Sequence, residues 1–301
     1  MGGVFGRITG WLNHQPYLLL SLTSLFWAGN IVIGRFASGH VPPVALTWFR
    51  WGIAFLIVLP FATPRLKQDW PVIRRHAGLM TAFALTGNAA FHVMAYYGLQ
   101  YTEAINVLLL QSIGPLPVAL WTLVLFGDRI TTAQAVGVLT SLAGVLVIIC
   151  RGDIAIIFGI GFNRGDIWIL IALVFYALYT ALLRKRPPIH PLSFIAVTMG
   201  GGTLLLTPLL VLEMSTGYAI RFDTTTLLTL AYVCVFPSLL GYMFLNRGIE
   251  IIGANRSAPF LHLVPIFGSV LAIVFLGERL QFFHAVGYAL VLAGVITAAR
   301  R

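Results

Sequence analysis

The chain has 301 residues, 59% of them hydrophobic and only 9% charged, where a water-soluble domain carries roughly 25% charged residues. A soluble globular fold is excluded, and the formal net charge of +10 has to be read from where the basic residues fall rather than as a nucleic-acid footprint. The two cysteines, Cys150 and Cys234, offer neither a disulfide framework nor metal-ligand spacing.

A helix crossing a hydrocarbon layer of about 30 Å needs roughly 20 residues. Ten apolar runs of about that size follow one another, over residues 17–35, 44–62, 76–99, 104–126, 133–150, 167–183, 192–212, 227–246, 254–276 and 283–299. Turn and charge clusters separate them, among them His40-Val41-Pro42-Pro43, Thr63-Pro64-Arg65, Arg151-Gly152-Asp153 and Arg186-Pro187-Pro188. The runs are continuous, without the alternating polarity of barrel strands, so helices are the spanning solution left. The first run lacks a small-residue cleavage pattern and is followed at once by a second, unlike a removable signal.

Counted over alternate connections, one side holds 13 Lys and Arg against 3 Asp and Glu, and the other 5 against 6. The basic side, dominated by Arg65, Lys67, Arg74, Arg75, Arg184, Lys185, Arg186, Arg300 and Arg301, is expected in the cytoplasm together with both termini.

A shift of 150 residues lays Gly127-Asp128-Arg129 on Gly277-Glu278-Arg279, Ala135-Val136-Gly137 on Ala285-Val286-Gly287, Pro115 on Pro265, Ala104 on Ala254, and Ala143-Gly144 on Ala293-Gly294. Two five-helix halves, 1–150 and 151–301, are therefore expected. Because five is odd, the second copy enters the membrane from the opposite face, an inverted repeat of the kind that underlies many transporters. The expected fold is all-α: an integral membrane protein of ten transmembrane helices in two inverted repeats.

Polar groups inside these runs need a reason, since a charge at a helix centre costs roughly 2.5–3.5 kcal/mol on insertion scales. Arg50 is the clearest case. Its guanidinium can clamp a substrate carboxylate, or it can snorkel to the interface or pair within the fold. Asn88, His92 and Tyr96 recur every four residues on the third run, and their images at the common shift are Ser238, Tyr242 and Asn246. Two such stripes suggest facing cavity walls or, alternatively, interhelical hydrogen bonds.

Trp27 with Asn30, and Tyr176 with Tyr179, can stack on a planar substrate or serve as interfacial anchors. Trp11, Tyr17, Trp48, Trp51, Trp70 and Trp168 read as anchors. Pro115 and Pro265 each remove a backbone donor and crowd the carbonyl four residues before, at Gln111 and Leu261, so a kink and a hinge are expected at both. Gln111 and His262 beside them can serve freed backbone groups or a ligand. Gly137 with Gly144, and Gly287 with Gly294, mark close helix packing, within one chain or between two.

No acid falls in the middle of a run, so any proton coupling would use His92 or His262; facilitated diffusion is the alternative. No catalytic elbow, metal cluster or phosphate loop is visible. Neither an enzyme nor a channel is favoured, and no cofactor is implied. The expected partners are a small-molecule substrate and the lipid bilayer, with no nucleic acid; monomer and homodimer are both open.

The run Phe26-Trp27-Ala28-Gly29-Asn30, the run Trp48-Phe49-Arg50 and the paired Gly-acid-Arg turns resemble the ten-helix, EamA-type members of the drug/metabolite transporter superfamily over essentially the whole chain. Within that family the chain looks most like the aromatic amino acid exporters known as YddG. The resemblance implies a bacterial inner-membrane exporter of amino acids or related metabolites, alternating access through a cavity between the repeats. Other metabolites or drug-like compounds are the alternative cargo. The membrane-embedded Glu of the four-helix small multidrug relatives is missing, which argues against cationic drugs.

Overall fold

The computed structural model describes residues 14–127, 132–153, 163–217, 220–252, 257, 260–261 and 263–299. Helix α1 (Pro16–Phe36) opens on a proline at its first position, where the missing N–H has no intrahelical partner to lose. Helix α2 (Pro43–Arg75) starts the same way but runs 33 residues, with Pro60, Pro64 and Pro71 inside it. The turn expected at Thr63-Pro64-Arg65 is thus part of a helix. Proline disfavours a helix interior by roughly 3 kcal/mol, but α2 is braced along its length by α9 (Pro191–Ser215).

The α2–α9 pair is also pinned at both ends. Glu213 of α9 accepts the N–H groups of Val44 (3.0 Å) and Ala45 (2.8 Å) at the start of α2, and Asp69 of α2 accepts the N–H of His190 (3.0 Å) ahead of α9. Each acid fills orphan donors at the positive end of its partner helix.

The third stretch is α3 (Ala77–Phe83), a π-helical segment Ala84–Ala90, and α4 (Phe91–Leu99). The eighth is built alike: α10 (Thr224–Val235), a π segment Phe236–Leu240, and α11 (Gly241–Ile252). Pro237 cannot donate to Val233, and Ser238 Oγ takes that carbonyl instead at 2.7 Å. The remaining helices are α5 (Ala104–Gln111), α6 (Pro115–Phe126), α7 (Thr132–Ile149), α8 (Arg164–Leu182), α12 (Leu263–Leu276) and α13 (Phe282–Ala299).

Five helical stretches are long and apolar enough to cross a membrane, and the pair Ala104–Gln111 and Leu116–Phe126, bent by 43°, makes a sixth; Ala135–Ile148, Leu263–Leu276 and Phe282–Thr297 are shorter apolar helices. No strand occurs among the described residues. The chain is a multi-pass helical membrane protein.

Helices α7 and α13 pack so closely that a Cβ on Gly144 would lie 2.5 Å from the carbonyl of Gly287, and one on Gly294 2.5 Å from that of Gly137. Residue numbers fall along one helix as they rise along the other, so the pair is antiparallel. Adding 150 to one partner and subtracting it from the other turns the first contact into the second. Between them Ser141 Oγ donates to the carbonyl of Val291, its own counterpart, at 3.2 Å. These small residues pack within one chain.

Candidate functional site

Arg50 sits near the middle of the fold, 2% exposed. Its Nε donates to Ser238 Oγ (2.8 Å), and Nη1 donates to Asn30 Oδ1 (3.0 Å) and to the Tyr96 hydroxyl (2.8 Å), which itself donates to Asn30 Oδ1 (2.9 Å). The guanidinium carbon lies 4.7 Å from the Trp51 ring centroid, a cation–π contact. Arg50 does not snorkel: its hydrogen bonds go to side chains from α1, α4 and the second π segment. No carboxylate pairs with it, and Nη2 has no hydrogen-bond partner, among the described residues.

The two π segments shape the walls around this cation. A π turn releases backbone carbonyls from the helical ladder, and indole N–H groups collect them. Trp51 Nε1 donates to Asn88 O at 2.7 Å, and Trp27 Nε1 to Pro237 O at 3.2 Å. His92 Nδ1 lies 3.1 Å from Gly87 O. The even four-residue stripe of Asn88, His92 and Tyr96 is therefore interrupted by the wide turn. Asn88 lends its carbonyl to Trp51 while His92 and Tyr96 point their rings at the cluster.

Trp51 corrects the sequence reading. It is 1% exposed, stacked edge-on against His92 at 4.9 Å, and no interfacial anchor. It adjoins Arg50 in the chain and lies equally deep, the signal that the anchor reading overlooked.

Aromatic rings extend the wall. His92 meets Phe91 at 4.7 Å, Phe91 meets Tyr176 at 4.8 Å, Tyr176 stacks on Tyr179 at 6.1 Å, and Tyr179 meets Phe83 at 5.7 Å. From the second half, Tyr242 packs edge-on to Trp27 at 5.7 Å. Gly87 is required beside them, since a Cβ there would lie 2.7 Å from Tyr179 Cε2.

The structure thus brings together Trp27, Asn30, Arg50, Asn88, His92, Tyr96, Tyr176, Tyr179, Ser238 and Tyr242, and adds Trp51 and Phe91. Asn246 is not among them. It is exposed, with no hydrogen bond to the cluster among the described residues, although it follows Tyr242 by one turn of α11; the π segment breaks the four-residue register between Ser238 and Tyr242 instead. Gln111 ends α5, its carbonyl accepting the N–H of Gly114 at 3.0 Å. His262 lies outside the described residues. Pro115 opens α6 beyond the break, because helices end before proline more readily than they run through it. Pro265 falls in the first described turn of α12 and is buried.

A multi-pass helical bundle that encloses a cation with no countercharge among the described residues, walled by aromatic and amide groups, has the interior of a membrane transport protein. The EamA-like transporter family matches the chain twice, over residues 15–150 and 163–300. The chain belongs to that family.

Among its relatives, an uncharacterized transporter of Bacillus subtilis, YyaM, is 28% identical over 94% of this chain and 92% of its own length. A probable terminal-alkyne amino-acid exporter of Streptantibioticus cattleyicolor is 29% identical over 94% and 95%. A probable amino-acid metabolite efflux pump of Salmonella typhimurium is 27% identical over 94% and 94%. A solved structure titled only as a crystal structure of protein shares the fold, with a TM-score of 0.61 at 19% identity over 95% of this chain and 96% of that one. Family and relatives are transporters rather than enzymes by name.

Proposed function

We propose that the chain exports amino acids, aromatic ones among them, across the bacterial inner membrane by alternating access. The observation that carries this reading is Arg50, a buried guanidinium with Nη2 unengaged and no acid beside it among the described residues. A buried charge without a partner is costly, and a substrate carboxylate relieves that cost while accepting a charge-assisted hydrogen bond from Nη2. Asn30, Tyr96 and Ser238 orient the fork. Trp27, His92, Tyr176, Tyr179 and Tyr242 supply faces on which a planar side chain stacks. Asn88 lines the same wall, and Gln111 ends α5 at the broken fourth span.

Two relatives bear names referring to amino-acid export, which supports the substrate class. Ten spans in two inverted five-helix halves, with both termini cytoplasmic, accord with the doubled family match, the contacts that exchange between α7 and α13, and the one-sided placement of basic residues. In this reading Pro115 and Pro265 mark the flexible points of the fourth and ninth spans.

The test is phenylalanine or tryptophan uptake into proteoliposomes by the wild type, Trp27→Ala and Arg50→Lys. Arg50→Lys keeps the charge but loses the fork, and transport should drop at least about ten-fold, the equivalent of ~1.4 kcal/mol. Equal rates for wild type and Arg50→Lys would sink the carboxylate clamp.

A further inference from the structure

A second polar region lies near the turn between α12 and α13. A cavity of about 820 Å³ opens there, lined by Arg35, Gln100, Glu103, Glu278, Arg279 and Gln281 among others. At its edge is the first turn of α5. Glu278 sets Oε1 on the N–H of Ala104 (2.8 Å) and Oε2 on the N–H of Ile105 (2.9 Å), filling two orphan donors at the positive end of that helix.

Two further contacts hold the same turn. His284 Nδ1 accepts the N–H of Gln281 at 3.0 Å, which leaves Nε2 as the donor to Asn106 Oδ1 at 2.9 Å. Thr102 Oγ1 donates to the buried Asp166 Oδ1 at 2.6 Å. The start of α5 is thereby tied to three other parts of the chain.

Beyond that turn α5 is a plug. Ile105, Val107, Leu108 and Leu110 are all 0% exposed, in the same apolar cluster as Ile31 and Tyr96 beside the Arg50 network. At its far end the chain breaks at residues 112–114 and bends 43° into α6. This eight-residue helix passes at one end into tighter i→i+3 turns, which replace the α-helical ladder at residues 112–114, and is held at the other by side chains from elsewhere, so it runs from the cavity edge into the apolar cluster that contains Tyr96. Glu213 caps α2 with the same geometry, but α2 is braced along its length by α9 and pinned again by Asp69.

We propose that Glu278 latches an outer gate: when its carboxylate leaves Ala104 and Ile105, α5 pivots about residues 112–114 and joins the cavity to the Arg50 pocket. The proposal rests on the transport reading above, and its test does not depend on which substrate moves.

The test uses the full-length chain with Cys150→Ala and Cys234→Ala, and Leu110→Cys as reporter. A membrane-impermeant maleimide is applied from outside to intact cells. Glu278→Gln should raise the labelling rate at least about ten-fold, the equivalent of ~1.4 kcal/mol, while Glu213→Gln leaves it within about two-fold. Glu278→Asp, which keeps the charge but withdraws it by one methylene, should label at an intermediate rate and serves if the Gln variant does not fold. Unchanged labelling in the folded Glu278 variant, or an equal rise for Glu213→Gln, overturns the latch. A chain that labels as expected but moves no amino acid keeps the latch and refutes the substrate assignment.

Discussion

Replacing Arg50 by Met separates what the residue does for folding from what it does for transport. The guanidinium makes three side-chain hydrogen bonds, to Ser238, Asn30 and Tyr96, each worth about 1.5–3 kcal/mol when a charge is involved. Against them stands a desolvation penalty of several kcal/mol for a buried ion without a countercharge. The partners lose little when the arginine goes: Ser238 keeps Val233 O, and Tyr96 keeps Asn30. The two contributions nearly cancel, so Arg50→Met should shift stability by no more than about 2 kcal/mol, a few degrees of melting temperature in a chain of this size. Transport should be abolished. Thermal unfolding in detergent beside proteoliposome uptake makes the comparison. A stability loss well above 3 kcal/mol would make Arg50 a structural keystone, and preserved transport would remove it from the binding site; either result refutes the reasoning.

Other substitutions test other parts of the fold. Gly144→Ala sets a methyl against the backbone of α13, 2.5 Å from Gly287 O and 2.8 Å from Val291 N; overpacking of this kind costs about 1–3 kcal/mol, visible as a lower melting temperature. Trp51→Phe keeps the ring against His92 but orphans the Asn88 carbonyl, and should cost about 1–3 kcal/mol in the same measurement. Gly87→Ala displaces the Tyr179 ring and should raise the KM for an aromatic substrate more than it lowers thermal stability. The N–H of Thr226, and then the His40 imidazole, hold the Asp223 carboxyl below the usual carboxylate range. Its stabilising contribution is complete above about pH 4 and is lost as the pH falls through its depressed native value. The melting-temperature gap between wild type and Asp223→Asn should therefore be constant from neutral pH down to about pH 5 and close below about pH 4.

Helices were legible wherever apolar runs ended on clear punctuation. The run at 192–212 became Pro191–Ser215, and that at 17–35 became Pro16–Phe36, because proline at a first turn is a local signal. The extension of α2 to Arg75 was illegible, since Pro64 and Pro71 signal a stop that only packing against α9 overrides. The start of α8 at Arg164 was hidden by Asp166, a charge that Thr102 makes tolerable from another part of the chain. At the site, the cost of a charge within a span pointed to Arg50, depth in the first span to Trp27 and Asn30, and four-residue periodicity to His92. Periodicity could not anticipate the π segments, which come from carbonyls finding partners such as Trp51 and Trp27. Those partners are remote in sequence, so no local window contains them.

The contact between Ser141 and Val291 carries a historical consequence. If the two halves descend from one ancestral gene, these positions were once a single codon facing itself across a dimer axis. Every substitution there was then made twice, and a hydroxyl on one subunit implied a hydroxyl on the other. Fusion into one polypeptide would end that constraint and leave the two positions free to differ, as serine and valine do. A carrier assembled from identical subunits treats both sides of the membrane alike, whereas a fused one can tune each side separately.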